Sequence, residues 1–308
     1  MSPPNDNPAR WSTILHALRV NQWTKNGIVL VAFLFAYWDR SQQLPLVASL
    51  VRVGLAVAVF CAVSSAVYLV NDIRDVEADR HHPRKKYRPI AAGRLRIGTA
   101  YGIALTLLLA GVAGGCLISR AFVATLLVYV LIQALYTFAL KAVALVDVFI
   151  IAAGFVLRAI AGAVAVQAQI SPWLLLCTFL LALFLALCKR RHEILVLSDI
   201  DGNHRASLRG YDTELLNQLI AIVSSATVVS YALYTLSTET VAKFHTHRLG
   251  FTIPFVMFGI FRYLDLVYRH DQGERPEKIL LTDLPLIVDV LLYGLVVVAI
   301  FVLQARGI

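Results

Sequence analysis

The chain has 308 residues, of which 59% are hydrophobic and only 15% charged, and its formal net charge is +9. A water-soluble domain carries roughly a quarter charged residues, so this composition excludes a soluble fold and indicates an all-α polytopic membrane protein with one domain. The positive balance does not mark a nucleic-acid binder, because Lys and Arg fall in short segments between apolar runs.

Residues 1–10 are polar and proline-rich, which predicts a disordered tail with no cleavable leader pattern. Trp11, Ile14, Leu15 and Leu18 recur at helical spacing, which predicts a short amphipathic helix on the membrane surface with Arg10 and Arg19 among the headgroups. Residues 1–25 are therefore read as tail and interfacial helix, and 26–308 as a single transmembrane catalytic domain. A span needs about 20 apolar residues. About nine candidates follow in order: 26–38 (short), 46–70, 99–118, 121–139, 143–166, 172–188, 215–237, 249–268 and 284–304. With the N-terminus inside, 21 of the 28 Lys and Arg residues fall on the cytoplasmic side, so the expected topology is N-in, C-out. Both long polar segments, 71–98 and 189–214, then face the cytoplasm. The four cysteines, Cys61, Cys116, Cys177 and Cys188, sit in apolar runs without ligand spacing and read as small buried hydrophobes.

The second span runs into Asn71-Asp72-Ile73-Arg74-Asp75-Val76-Glu77-Ala78-Asp79. Asp72, Asp75 and Asp79 lie at i, i+3 and i+7 and would share one face of a continuous helix. Carboxylates at the mouth of a span are costly unless a function keeps them there. Oxygen ligands of this kind suit Mg²⁺, which is commonly held by one or two carboxylates together with substrate phosphates. The basic tract Arg84, Lys85, Lys86 and Arg88 follows at once and suits the rest of a polyanion. Pro83 and Pro89 end any helix continuing from Asp79, which predicts a loop or cap over the site.

The second polar segment opens Lys189-Arg190-Arg191-His192-Glu193 and continues to Arg205, Arg209 and Tyr211. Glu193 either pairs with Lys189 at i, i+4 or helps hold a metal or a sugar hydroxyl. Asp199 and Asp201 read as a solvated loop. Arg158 stands inside an apolar run, where an arginine faces a cavity or a counter-ion. Gly154, Ala161, Gly162 and Ala163 around it allow close helix approach. Tyr136 and Lys141 close the fourth span, and Lys25 opens the first. No phosphate-binding Gly-rich loop, zinc pattern or nucleophile elbow is present in the sequence.

The motif Asn71-Asp72-x-x-Asp75-x-x-x-Asp79 resembles the first Asp-rich motif of the UbiA superfamily of intramembrane prenyltransferases. That resemblance implies a helical ring around a lipid-open cavity. Aromatic prenyltransferases of the family carry a second Asp-rich motif after the sixth span, where this chain has Lys189 to Glu193. The departure comes with Gln22-Trp23-x-Lys25-Asn26, Arg88-Pro89-Ile90-Ala91-Ala92-Gly93 and Ser207-Leu208-Arg209-Gly210-Tyr211. The whole set is similar to the decaprenyl-phosphate phosphoribosyltransferase branch. The branch implies Mg²⁺ as cofactor, phosphoribosyl diphosphate as donor and a polyprenyl phosphate as acceptor, in a bacterial cytoplasmic membrane with the site facing inward. Asp72, Asp75 and Asp79 are then the metal ligands, with Asn71 beside them. Lys25, Lys141 and Arg158 are candidates for the acceptor or transferred phosphate. Lys189, Arg190, Glu193 and Tyr211 are candidates for the 5-phosphate and ribose hydroxyls. Two other readings are prenyl transfer to an aromatic ring, which calls for a second acidic cluster, and a transporter, whose charges would line a path across the bilayer.

Overall fold

The computed structural model describes residues 10–39, 44–82, 84–197, 210–269, 279 and 281–306. Among them there is no strand. Arg205, Arg209, Asp199, Asp201 and Pro83 lie outside the described residues.

Helix α1 (Arg10–Ala17) is followed by a 3-10 segment, Val20–Gly27, which runs directly into α2 (Ile28–Trp38). Trp11 and Leu15 are exposed while Ala17 is buried against the body of the protein, as an interfacial helix requires. Then come α3 (Leu46–Arg74), α4 (Val76–His81), α5 (Ile97–Cys116), α6 (Arg120–Phe138) and α7 (Val146–Ala165). The rest is α8 (Pro172–Leu197), α9 (Thr213–Leu236), α10 (Thr238–Phe244), α11 (Ile253–Arg269) and α12 (Leu284–Ala305). Side-chain caps fix several starts: Ser119 accepts from Phe122 N, Asp212 from Leu215 N and Asp283 from Leu286 N.

Eight helices among the described residues are long and apolar enough to cross a membrane, one fewer than the nine spans expected. The missing one is the first. Its eleven α-helical residues rise only about 16 Å, half of a bilayer's apolar core. The polar residues Gln22, Lys25 and Asn26 occupy the 3-10 part before it. Another expected boundary also moves. Helix α8 does not stop at 188 but continues through the basic segment, so Lys189 to Glu193 are helical.

α7 joins two packed groups. Its later half, with Ala161 and Ala165, packs with α2, α3 and α6, and its early half, with Val148 and Ala152, packs with α8, α9, α11 and α12. The close approach expected around Arg158 occurs at Gly162, where an added Cβ would lie 2.1 Å from the Val29 carbonyl oxygen of α2. The two groups also meet at the end where α2 and α12 finish. There Trp38 stacks on Phe301 at 5.3 Å and buried Asp39 pairs with Lys243 at 3.2 Å. Cys61 and Cys188 are buried as expected, whereas Cys116 is exposed at the last turn of α5.

Candidate active site

The opposite end, where α3 and α8 finish, gathers the charged groups. The carboxylates do not sit on one unbroken face. α3 ends at Arg74 and α4 begins at Val76, with Asp75 between them at φ −96°, ψ 7°. The break separates Asp75, which takes its own partner, from Asp72 and Asp79, which share one. Arg88 Nη1 donates to Asp72 Oδ1 at 3.1 Å and to Asp79 Oδ2 at 2.6 Å. Arg19 also pairs with Asp72, and Lys141 pairs with Asp75. Each acid is thus held by a cation from another segment: the N-terminal turn, the cap after α4, and the link between α6 and α7. Arg88 lies just beyond the 3-10 turn Lys85–Tyr87, and its guanidinium closes over the acids as the cap that Pro83 and Pro89 predicted. Lys85 is half-buried within electrostatic reach of Asp79, whereas Arg84 and Lys86 are exposed. Burial pushes the Asp79 carboxyl above its usual range, partly offset by Arg88. Asn71 is half-buried, and its carbonyl accepts the Asp75 N–H at 3.0 Å.

No three His, Cys, Asp or Glu side chains among the described residues form a ready metal cluster, because the acids are turned to these cations. Their chemistry nevertheless fits a hard cation: the donors are all carboxylate oxygens. Arg88 Nη1 shows that Asp72 and Asp79 converge on one positively charged group.

A second cluster lies on the far side of the α6–α7 link. Arg190 is only 2% exposed, and its Nε lies 2.8 Å from Oδ2 of fully buried Asp147, an ion pair whose atoms are out of line for a hydrogen bond. Its Nη1 pairs with Glu193 one turn on. The Tyr211 hydroxyl donates to Asp147 Oδ1 at 2.8 Å and accepts the Leu145 N–H at 2.6 Å. Burial and the Asp147 carboxylate push the Tyr211 hydroxyl up, keeping it protonated. Leu145 adopts φ 67°, ψ −47°, a positive-φ conformation uncommon for a branched residue, with the Val146 N–H donating to the Ala144 carbonyl across it at 2.8 Å. Tyr136 lies within electrostatic reach of Arg190. Arg191 faces elsewhere. It donates to Asn217 at 2.8 Å, reaches the Val267 carbonyl at 3.3 Å and stacks on Tyr268, tying α8 to α9 and α11.

Lys25 and Lys189 are both half-buried. Arg158 is not brought to either cluster. It sits eleven residues beyond Asp147 on α7, about 16 Å along the helix. There it donates to Asn26 Oδ1 at 2.8 Å, Gly154 O at 2.9 Å and Tyr129 OH at 2.9 Å. Two residues of the site escaped the sequence reading. Asp147 carried a signal, a carboxylate inside the 143–166 run, and the rule applied to Arg158 would have found it. Arg19 carried none, because its inward turn comes from a left-handed backbone (φ 51°, ψ 50°) after α1.

The fold and site define a multi-pass membrane transferase, and the chain belongs to the UbiA prenyltransferase family, whose sequence pattern matches residues 28–209. It is 37% identical over 279 residues to a decaprenyl-phosphate phosphoribosyltransferase of Corynebacterium glutamicum, covering 88% of this chain and 81% of that one. The protein of the same name from Mycolicibacterium smegmatis is 34% identical, with 88% and 87% covered. In structure, the chain is similar to a UbiA homologue from Archaeoglobus fulgidus solved with GPP and Mg²⁺. The TM-score is 0.70 at 19% identity, covering 94% of this chain and 99% of that one.

Proposed function

We propose that the protein transfers 5-phosphoribose from phosphoribosyl diphosphate to a polyprenyl phosphate such as decaprenyl phosphate, releasing diphosphate. The observation that carries this reading is the second cluster. Where an aromatic prenyltransferase of the family would place its second set of acids, α8 presents Lys189, Arg190 and Glu193, with Arg190 locked between two carboxylates. The named relatives, similar over most of the chain, agree with it.

Asp72, Asp75 and Asp79 would hold Mg²⁺, which when bound supplies positive charge to the leaving diphosphate. The chain's own residues do the rest. Arg19, Arg88 and Lys141, released from the acids, are placed to hold phosphate oxygens by charge-assisted bonds. An oxygen of the lipid phosphate bonds to ribose carbon 1 as the bond from that carbon to diphosphate breaks and the electron pair leaves with diphosphate. The carbon passes through an oxocarbenium-like state and inverts. The nucleophile is already an anion, so no general base is needed. Lys25 and Lys141 are the candidates for the lipid phosphate. The site faces the cytoplasm of a bacterial inner membrane with the N-terminus on the same side, and the lipid tail lies in the bilayer.

The test is a detergent assay with purified protein, Mg²⁺, labelled phosphoribosyl diphosphate and decaprenyl phosphate, with a chelator control. Labelled lipid is expected only with the metal. Consumption of a prenyl diphosphate with an aromatic acceptor, and no labelled lipid, would overturn the reading.

A further inference from the structure

The geometry points to the Asp147–Arg190–Glu193 ladder as a reader of the donor's ribose hydroxyls, with Glu193 as the contacting residue and Asp147 as its positioning residue. The inference rests on the proposed phosphoribosyl transfer and narrows one side of it.

The ladder runs outward. Asp147 is fully buried, Arg190 is 2% exposed and the Glu193 side chain is 21% exposed. A guanidinium already flanked by two carboxylates in a buried setting is a poor phosphate ligand, because a phosphate would have to displace an acid and leave it unpaired there. Arg190 acts instead as a fixed counter-charge. It orients Glu193, and a carboxylate paired with a guanidinium offers acceptor oxygens to a hydroxyl donor. Among the parts of this donor, only the sugar hydroxyls can donate to it. Asp147 holds the far side of the guanidinium and is itself fixed by Tyr211, which also ties down the backbone of Leu145.

One short link joins the ladder to the acid cluster. Lys141, on the Asp75 carboxylate, is six residues before Asp147, so their backbones are at most about 20 Å apart even fully extended. A 3-10 turn at Leu140–Ala142 and the first turn of α7 shorten that separation. The lysine on Asp75 and the aspartate that anchors the ladder are therefore carried at the two ends of one short link.

A carboxylate built to bond a hydroxyl rejects an analogue lacking it by large factors. The experiment measures kcat and KM for phosphoribosyl diphosphate and for its 2-deoxy and 3-deoxy analogues, using the full-length protein in detergent. The wild type is expected to prefer the ribose donor over at least one analogue by roughly ten- to a hundredfold, the factor of one hydrogen bond to a charged group. Glu193→Gln should raise KM for the ribose donor tenfold or more with little change in kcat, and bring the preference close to one. Asp147→Asn should do the same more weakly, with KM for the lipid phosphate unchanged. If the wild type transfers phosphoribose but Glu193→Gln keeps its preference, the ladder does not read the sugar and the function stands. A fall in kcat alone for both variants would also overturn the inference, as would loss of affinity for the lipid. No transfer by the wild type would overturn the function and the ladder together.

Discussion

Gly162→Ala is the substitution whose cost follows most directly from the geometry. A Cβ at 162 would lie 2.1 Å from the Val29 carbonyl oxygen, 2.9 Å from its carbon and 3.1 Å from Val29 Cα. All three are backbone atoms, so no side chain can rotate away. To go from 2.1 Å to 3.0 Å, α2 must retreat from α7 by at least 0.9 Å. A shift of that size also takes the 2.8 Å bond from Arg158 to Asn26 out of hydrogen-bond range. Overpacking of this kind costs about 1–3 kcal/mol, and a lost buried bond adds about 1 kcal/mol or more. The expected result is a fall in melting temperature of roughly 5–10 °C, read by thermal unfolding of the detergent-purified protein. Gly102→Ala is the internal control, since a Cβ there meets nothing within 4 Å and alanine favours the helix. A Gly162→Ala protein that melts with the wild type, or a Gly102→Ala protein that falls equally far, would refute the reasoning.

Asp75→Ala should abolish labelled-lipid formation while leaving the melting temperature within a few degrees, because its partly exposed pair with Lys141 is worth about 1 kcal/mol at most. Chelation should stop turnover reversibly without unfolding the protein. The acids are already balanced by Arg19, Arg88 and Lys141, so a melting curve with and without EDTA should show no large shift, and added Mg²⁺ should restore activity. Arg158→Met should destabilise by about 2–4 kcal/mol, because it removes one buried partner from Asn26 and one from Tyr129. The loss would appear as early aggregation on heating in size-exclusion profiles.

The all-helical membrane class, the acid motif and the basic cap were legible because they depend on local signals: long apolar runs, helical spacing and proline stops. What was not legible depends on partners distant in sequence. Asp75 leaves the face of Asp72 and Asp79 because Lys141, 66 residues on, draws it elsewhere. Arg190 read as a candidate ligand of the 5-phosphate or ribose, and α8, continuing to Leu197, sets it instead against Asp147. Arg158 was expected to face a cavity or a counter-ion, but its side-chain partners are the neutral Asn26 and Tyr129 from two other helical segments. The first span was expected from its apolar length, which says nothing about the polar 3-10 turn that begins it and is stabilised by distant neighbours.

That turn bears on how the protein is made. Asn26 is buried, and its amide donates to Ser64 and Cys61 while its oxygen accepts from Arg158. The last of these partners is synthesised 132 residues later. Until α7 leaves the ribosome, the first segment therefore has neither the apolar length to cross the bilayer alone nor the guanidinium that settles its polar turn. Its final seating is a late event of biogenesis, so truncation before Arg158 should leave the N-terminal segment accessible from the side on which it was made.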